Sequence, residues 1–402
     1  MDWERFGIYV FSAFYGYACL TAPYKGRKWV NRLTVFIILL LLMWLPACDD
    51  TRTITETEYV DRDVIVTEPY YTRTVYDENM GEFTPEQQAE LTSKGYLNMR
   101  LFYSSEPRPG VGGRIWVQAK TPSFSTTDIQ GVCYGYDLFV SVGDSGKIAY
   151  STDGDVWTQA KTPSFGSDTI YDVTYGNLIY VAVGANGKIA YSSDGDTWTQ
   201  ARTPSFGGGH VVGVTFGNGV FVAGGMDGKI AYSTDGDVWT QAKTPSFGAT
   251  NVLSMAYGNS IFIACGFSGK IAYSSDGDTW TLASTPSFGA TNIYGSTYGN
   301  GKFVAVGLDN KIAYSSDGDT WTQARTPSFG DDAYYDHVMS VACGGNFVAV
   351  GMAGKIAYSP DGDVWTQVAT STFGSASIYG VAYGKYRFVA VGGSGKIAFS
   401  LH

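Results

Sequence analysis

Residues 187–207 read GKIAYSSDGDTWTQARTPSFG, and the Lys-Ile-Ala-Tyr-Ser core of this stretch occurs seven times in a chain of 402 residues. The copies begin at Lys147, Lys188, Lys229, Lys270, Lys311, Lys355 and Lys396, with Phe399 in place of Tyr in the last copy. Five of the six steps between copies are 41 residues long and one is 44. A fixed period of this size is typical of a solenoid, a propeller or an array of small units.

Each repeat contains four short runs rich in β-branched and aromatic residues. In the second repeat the runs are residues 170–174, 178–183, 188–192 and 197–201, and Gly, Asn and Asp fill the gaps between them. Such runs, separated by turn residues at hairpin spacing, predict four antiparallel strands, which we call a, b, c and d. Four strands in about 40 residues match the size of one propeller blade.

The two ends of the array complement each other. A d-type run at residues 115–120 precedes any a, b or c run, whereas residues 378–383, 387–391 and 396–400 supply a, b and c with no d run after them. Both observations are explained if the array closes into a ring and the N-terminal strand completes the last blade, which also removes exposed sheet edges. We therefore predict an all-β fold: a seven-bladed β-propeller of four-stranded antiparallel blades over residues 113–402.

The turn between strands c and d has a chemistry that the sequence reveals. In residues 192–198 (SSDGDTW), Asp194 can accept hydrogen bonds from backbone N–H groups two residues on, and Gly195 can adopt a positive φ angle. Trp198 can bury its ring against the neighbouring sheet. The pattern recurs six times, with its Asp and Trp at Asp153 and Trp157, Asp194 and Trp198, Asp235 and Trp239, Asp276 and Trp280, Asp317 and Trp321, and Asp361 and Trp365.

This Ser-x-Asp-Gly-Asp-x-Trp pattern resembles the Asp-box of the bacterial neuraminidase repeat families. The usual form there is Ser-x-Asp-x-Gly-x-x-Trp, on the c–d hairpin of propeller blades, and this chain departs from it because Gly directly follows Asp. The resemblance covers residues 114–402. It implies a structural role for these Asp and Trp residues, on the side away from any catalytic centre. Since such boxes occur in glycosidases, photosystem assembly factors and binding propellers, function has to be argued from the site.

A sialidase in that family uses three Arg, a Tyr paired with a Glu, and an Asp acid. No Glu follows Glu106 here, and the propeller contains only Arg114, Arg202, Arg325 and Arg387. Arg202 and Arg325 take a position filled by Lys in other repeats, so we interpret them as interchangeable rather than catalytic. We predict no enzymatic activity and no catalytic residues; an Asp/Asp glycosidase pair stays open.

Residues 1–48 are predicted to be a targeting segment. Basic residues precede the apolar run 33–45, which is too short for an ordinary membrane span and ends in Leu-Pro-Ala-Cys at Cys48. This resembles a bacterial lipoprotein signal, which implies lipidation of Cys48. The alternative is a plain signal peptide or anchor with an incidental Cys.

Residues 49–112 are predicted to form a stalk. Between Asp49 and Glu106 there are 13 acidic and 5 basic residues, a composition that favours an extended, self-repelling spacer. A strand that pairs with another segment is the alternative. One short helix is predicted, with Thr84 as its N-cap, Pro85 next and Gly95 after its end.

Composition narrows the possible partners. The net charge of −10 argues against nucleic acid. Cys133, Cys265 and Cys343 are predicted to be small buried core residues, and no spacing indicates a disulfide, a metal site or a cofactor. The strand-c lysines and the paired Asp of each turn are interpreted as solvated positions and turn chemistry, since two carboxylates alone lack the further ligands that calcium needs.

The repeats differ from one another mainly at the end of the d–a loop and in the b–c turn, which emerge on the same face of a four-stranded blade. A constant frame with variable loops is how scaffolds carry recognition, although neutral drift would give the same pattern. The candidate ligand-binding residues on this face are Asp168, Asn186, His210, Asn251, Asn292, Tyr334, Tyr335 and His337. Tyr334, Tyr335 and His337 lie in residues 331–337, the segment that contains the three-residue insertion that makes one step 44.

We therefore predict a non-catalytic, lipid-anchored monomer of the bacterial cell envelope, facing the periplasm or the exterior. It would bind a protein or a glycan through the variable loop face. The alternatives are a sialidase-like glycoside hydrolase and a scaffold or assembly factor for an envelope complex.

Overall fold

The computed structural model describes residues 113–120, 124–161, 164–202, 206–243, 247–284, 287–325, 337–368 and 372–401, and the strand backbone of five short segments before residue 78. The chain divides into two compact units, Met1–Glu106 and Pro107–His402. Cys48, the helix predicted after Thr84, and the tyrosines at 334 and 335 lie outside the described residues. Among those described, no helix is long and apolar enough to cross a membrane.

Four antiparallel strands form each blade of the second unit, in the order a-b-c-d from the centre outward. The a, b, c and d strands are, in blade I, Ile129–Gly135, Leu138–Gly143, Ile148–Ser151 and Thr158–Gln159; in blade II, Ile170–Gly176, Ile179–Gly184, Ile189–Ser192 and Thr199–Gln200; in blade III, Val211–Gly217, Val220–Gly225, Ile230–Ser233 and Thr240–Gln241; in blade IV, Val252–Gly258, Ile261–Gly266, Ile271–Ser274 and Thr281–Leu282; in blade V, Ile293–Gly299, Lys302–Gly307, Ile312–Ser315 and Thr322–Gln323; in blade VI, Val338–Gly344, Asn346–Gly351, Ile356–Ser359 and Thr366–Gln367; and in blade VII, Ile378–Gly384, Arg387–Gly392, Ile397–Ser400 and Trp116–Gln118.

The last blade is completed by the strand that precedes all the others. Trp116–Gln118 pairs antiparallel with Ile397–Ser400, in a register that sets Trp116 opposite Ser400 and Gln118 opposite Ala398. The a strands of successive blades touch one another, and the a strand of blade VII touches that of blade I. The prediction of a closed, all-β, seven-bladed propeller is therefore confirmed.

The hydrophobic core lies between blades. Seven clusters of buried side chains each draw on two adjacent blades; between blades I and II, for example, Val140 of strand b packs with Ile170 and Trp198 of the next blade. A blade sheet is therefore buried on both faces, which explains why the b strands are almost wholly apolar. Burial of this kind dominates the favourable free energy of folding.

A short 3-10 turn joins strands b and c in every blade, and its middle residue has a positive φ angle. These turns are Asp144–Gly146, Ala185–Gly187, Met226–Gly228, Phe267–Gly269, Leu308–Asn310, Met352–Gly354 and Gly393–Gly395. Each b–c turn contacts the a strand of the following blade. The turns therefore lean towards the centre of the ring.

The first unit is described only by its strand backbone. Tyr9–Ala13 pairs antiparallel with Tyr17–Thr21, within the segment predicted to be a targeting sequence. Arg62–Thr67 pairs antiparallel with Thr72–Asp77, and Thr57–Glu58 pairs parallel with Thr72–Asp77, within the predicted stalk.

Candidate functional site

The ring presents two faces, which we name by their loops. The b–c face carries the b–c turns and the d–a loops, and the c–d face carries the a–b turns and the c–d turns. This assignment follows from strand order, because antiparallel strands alternate in direction. The bonds between b–c turns and d–a loops bear it out: the Asp144 N–H donates to the Asp128 carbonyl at 3.0 Å, and the other six blades repeat this bond.

The c–d turns are built by hydrogen bonds within each turn. In blade II, Asp194 Oδ1 accepts the N–H groups of Asp196 at 2.9 Å and Thr197 at 2.8 Å. Ser192 Oγ accepts the Gly195 N–H at 2.8 Å, and Gly195 has a φ angle of 75°. The backbone N–H donors hold the pKa of Asp194 below its ordinary value. The buried Trp198 indole donates to the Gly195 carbonyl at 3.0 Å.

The second Asp of each c–d turn joins two blades. A cation at the end of strand d pairs with the turn of the next blade: Lys120 with Asp155 at 2.5 Å, Lys161 with Asp196, Arg202 with Asp237 at 2.5 Å, Lys243 with Asp278, and Arg325 with Asp363 at 2.6 Å. In blade IV the cation is replaced by Ser284, whose backbone N–H donates to Asp319 at 2.7 Å. These charges tie neighbouring blades together, with the aspartates largely covered and the cations still exposed to solvent.

The strand-c lysines are also structural, contrary to their interpretation as solvated. Lys188 Nζ donates to the Phe165 carbonyl at 3.0 Å and pairs with Asp168 at 2.8 Å. The same bond to a d–a loop carbonyl is made by Lys147, Lys229, Lys270, Lys311 and Lys396. The phenylalanines that provide these carbonyls are buried. Each lysine therefore fixes the d–a loop of its own blade.

Three of the predicted ligand-binding residues act as inter-blade acceptors. His210 Nδ1 accepts the N–H of Asn186 at 3.1 Å, Asn251 Oδ1 accepts that of Asp227 at 3.2 Å, and Asn292 Oδ1 accepts that of Ser268 at 3.2 Å. Asp128 closes the ring in the same way by accepting the Ser394 N–H at 2.8 Å. The residue before strand a therefore fastens the b–c turn of the preceding blade.

The other predicted residues of the b–c face separate into two places. Asp168 accepts a hydrogen bond from Asn186 Nδ2 at 3.1 Å, and the hydrogen bond from Lys188 holds the pKa of Asp168 below its ordinary value. His337, which directly precedes strand a of blade VI, has its ring centroid 6.1 Å from that of Tyr294. Among the described residues, its buried Nδ1 has no hydrogen-bond partner.

The b–c face also carries an apolar arc that the sequence analysis missed. The first residue of the b–c turn is Met226 in blade III, Phe267 in IV, Leu308 in V and Met352 in VI; we call these four the apolar arc. Phe267 is 36% exposed and the other three are partly exposed. Blades VII, I and II carry Gly393, Asp144 and Ala185 at this position. At this turn position, four successive blades therefore carry a large apolar side chain and the other three carry a small or acidic residue.

Of the described a strands, which form the inner wall of the ring, one carries a carboxyl group. Asp172 is the third residue of strand a in blade II. Its carboxylate accepts hydrogen bonds from the backbone N–H of Val173 at 2.8 Å and from that of Val214 in blade III at 2.9 Å. Desolvation raises its pKa to about 7, although the two N–H donors act in the opposite direction. The corresponding residue is Gly or Ser in the other blades, and this exception was the sequence signal that could have identified it.

The cysteines and arginines do not form a reactive cluster in the described residues. Cys265 is buried, whereas Cys133 and Cys343 are only partly so, and all three are free thiols. Arg202 and Arg325 are paired in different blades, Arg114 stacks on Tyr358, and Arg387 bonds the Asp153 carbonyl on the c–d face. Arg387 is thus on the face opposite His337. No group of three or more metal-ligating side chains occurs among the residues described.

The fold and its loop faces define a β-propeller, and comparisons with known proteins agree. Residues 207–328 match the family model described as the DUF6242 beta propeller domain. No curated protein matches the chain.

Solved structures with a similar fold share little sequence with this chain. Virginiamycin B lyase from Staphylococcus aureus matches with a TM-score of 0.62 at 15% identity, over 71% of this chain and 99% of that one. YCF48 bound to D1 peptide matches with a TM-score of 0.58 at 14% identity, over 75% and 99%. The WD40 β-propeller domain of Doa1 matches with a TM-score of 0.56 at 16% identity, over 72% and 97%. These neighbours, one of them an enzyme, establish the fold alone.

Proposed function

We propose that this protein is a non-catalytic binding propeller that recognises a protein segment at its b–c face. The observation that carries the proposal is the apolar arc of Met226, Phe267, Leu308 and Met352. Four successive blades place an apolar side chain at a turn that leans towards the ring centre, where the other three blades carry Gly, Asp and Ala. Exposed apolar surface rimmed by polar groups is typical of interaction sites on soluble proteins.

The composition of the arc favours a protein over a glycan. Methionine is flexible and polarisable and adapts to different apolar partners. Phe267 and Leu308 offer no hydrogen-bonding group to a sugar hydroxyl. Asp168 and Asn186, in a blade outside the arc, would supply hydrogen bonds at the edge of the contact. The propeller named as YCF48 with a bound D1 peptide offers a precedent for peptide binding on this fold.

Three features support a role without catalysis. Arg387 and His337, the two groups that could have joined carboxylates in a hydrolase site, lie on opposite faces. Each arginine of the described residues has its own partner: Arg114 stacks on Tyr358, Arg202 pairs with Asp237, Arg325 pairs with Asp363, and Arg387 donates to the Asp153 carbonyl. Asp168 is held by Lys188 and Asn186 rather than facing a nucleophile. A scaffold role in an envelope complex is a form of the same proposal, with the partner bound at the same face.

A phage-displayed library of random 12-residue peptides and a printed glycan array test the proposal on the full-length protein. We expect peptides to be enriched, and Phe267→Asp with Leu308→Asp to weaken their binding at least tenfold. Asp is the residue that blade I carries in this turn, so the substitution is compatible with the backbone. Val364→Ser, a 41% exposed position in the c–d turn of blade VI, is the control. Equal affinity for the wild-type protein and the double variant would contradict the proposal.

We also propose that Cys48 tethers the chain to a membrane of the bacterial envelope. The support is the sequence alone: an apolar run that ends at Leu-Pro-Ala-Cys, followed by an acidic segment. Fixed at one end, the b–c face would be offered to partners in the periplasm or at the cell exterior.

A further inference from the structure

The a–b turns provide an internal comparison between blades. In six blades two residues with positive φ angles connect strands a and b, which is the backbone of the tight hairpin turn that favours Asn-Gly. Blades III and V have that sequence, at Asn218-Gly219 and Asn300-Gly301. These two blades show that Asn-Gly is sufficient for the turn to form.

In blades VII, I and II, a bulky Tyr or Leu residue occupies one of the two positions of this turn. Tyr386, Tyr136 and Leu178 adopt φ angles of 66°, 47° and 65°. Bulky side chains are rare in this left-handed region because the conformation is sterically unfavourable for them. The three side chains are also 53%, 77% and 70% exposed, so their apolar surface gains little from burial. In three adjacent blades, the turn therefore combines an unfavourable backbone conformation with an exposed apolar side chain.

The three residues join a row of partly buried tyrosines at the ends of the a strands. Tyr383 packs against Phe388 at 4.8 Å between ring centroids, Tyr134 against Phe139 at 4.7 Å, and Tyr175 against Tyr180 at 4.8 Å. Desolvation raises the pKa values of Tyr134, Tyr383 and Tyr175. Tyr386 is close enough to Tyr134 and Tyr383 to raise their pKa values further, and Tyr136 has the same effect on Tyr175. We call this surface the tyrosine rim: Tyr383, Tyr386, Tyr134, Tyr136, Tyr175 and Leu178.

We propose that the tyrosine rim is a second binding surface, on the c–d face, for an extended and uncharged peptide segment of a partner protein. Tyrosine gives a large contact area with little loss of side-chain entropy and is enriched at the energetic centres of interfaces. Leu178 adds aliphatic surface that suits an apolar side chain and offers nothing to a sugar hydroxyl. The rim follows three neighbouring blades, so it fits an extended ligand.

The charges of the rim select against charged ligands. The three a–b turns that carry the rim contain one charge of each sign, and both are already bonded inside the protein: Asp137 accepts the Tyr134 hydroxyl at 3.0 Å, and Lys385 Nζ donates to the Thr152 carbonyl at 2.9 Å. The rim therefore has no net charge to offer. A membrane surface rich in anionic lipid is disfavoured because the chain carries a net charge of −10.

The sister blades supply the test variant. Tyr136→Asn with Asp137→Gly, Leu178→Gly, and Lys385→Asn with Tyr386→Gly converts all three turns to Asn-Gly. Ser260→Gly makes the same change in the polar turn of blade IV and serves as the matched control. The probe is a phage-displayed library of random 12-residue peptides, selected on the full-length wild-type protein and counter-selected on the Asn-Gly variant.

We expect the counter-selection to leave uncharged peptides with apolar residues, bound at least tenfold more weakly by the Asn-Gly variant than by the wild-type protein. Ser260→Gly and Phe267→Asp should bind these peptides like the wild-type protein, and the Asn-Gly variant should melt at the same temperature or higher. The inference is overturned if no peptide distinguishes the variant from the wild-type protein, or if the enriched peptides are charged. It is also overturned if the variant melts lower, or if the rim instead mediates dimers or vesicle binding. Loss of binding only with Phe267→Asp would leave the b–c proposal intact and remove this one.

Discussion

Asp172 shows how one residue departs from the repeat and changes the chemistry of the ring. Its carboxyl lies in the inner wall between blades II and III, at a strand position where the other six blades carry Gly or Ser. Because its pKa is about 7 in the fold against an ordinary value of 3.8, folding favours the protonated form. Its contribution to stability is therefore full below pH 4, decreases as the pH rises towards 7, and is constant above that.

We predict that Asp172→Asn reduces the pH dependence of unfolding. Each unit of pKa difference corresponds to about 1.4 kcal/mol, so between pH 5 and pH 8 the wild-type protein should lose about 2–3 kcal/mol more stability than the Asn variant. Urea unfolding at the two pH values measures this difference. Parallel losses in the two proteins would mean that Asp172 ionises normally in the fold.

His210 tests the inter-blade acceptors. His210→Ala removes the acceptor for the Asn186 N–H and should cost about 1 kcal/mol. His210→Asn restores the residue that blades IV and V use at this position and should recover most of that loss. Chemical denaturation compares the two variants. If both variants were equally destabilised, the bond to Nδ1 would not be what the position contributes.

At the scale of the strand, a glycine at the end of strand a receives the aromatic ring of the next blade. A Cβ atom at Gly258 would lie 2.0 Å from the Tyr298 ring, a distance that no side-chain shift of a few tenths of an ångström relieves. The repeated Tyr-Gly pair is therefore a packing motif as well as the start of a turn. The sequence indicated only the turn, because the contact joins two different blades.

We predict that Gly258→Ala destabilises the propeller by about 1–3 kcal/mol through overpacking. Gly208→Ala is the control, since no atom lies within 4 Å of a Cβ there. Differential scanning calorimetry should show a lower melting temperature for the first variant alone. A melting temperature unchanged by Gly258→Ala would show that the blades separate easily at this contact.

The sequence predicted strands and turns well because they depend on local patterns. The runs of β-branched and aromatic residues and the Asp194-Gly195 turn are readable within one repeat. The inter-blade ties were not predicted, although Lys120–Asp155 and Arg202–Asp237 are both separated by 35 residues. That regularity becomes meaningful only once the ring places strand d beside the next c–d turn. The apolar arc was overlooked because a single residue in a short turn carries no periodic signal.

At the scale of the whole molecule, closure depends on the strand that comes first in the chain. Deleting residues 107–121 removes Trp116–Gln118 and leaves strand c of blade VII as an open edge, so we predict aggregation or a large loss of thermal stability. Size-exclusion chromatography and thermal melting measure both. Equal stability with and without the segment would contradict a closed ring.

The anchoring proposal rests on one thiol. Cys48→Ser should leave a precursor that incorporates no labelled fatty acid, because Ser cannot form the thioether that carries the lipid. Metabolic labelling with a radioactive fatty acid measures this. Normal labelling of the Ser variant would mean that Cys48 is not the lipidated residue.

The central claim is that the b–c face binds a protein segment through the apolar arc. It is tested most directly by photo-crosslinking with benzoylphenylalanine placed at Phe267, and at Val364 on the c–d face, in the full-length protein. Irradiation with the peptides whose binding is weakened by Phe267→Asp with Leu308→Asp should give adducts at position 267 and none at position 364. Adducts at position 364 with none at position 267 would contradict the claim.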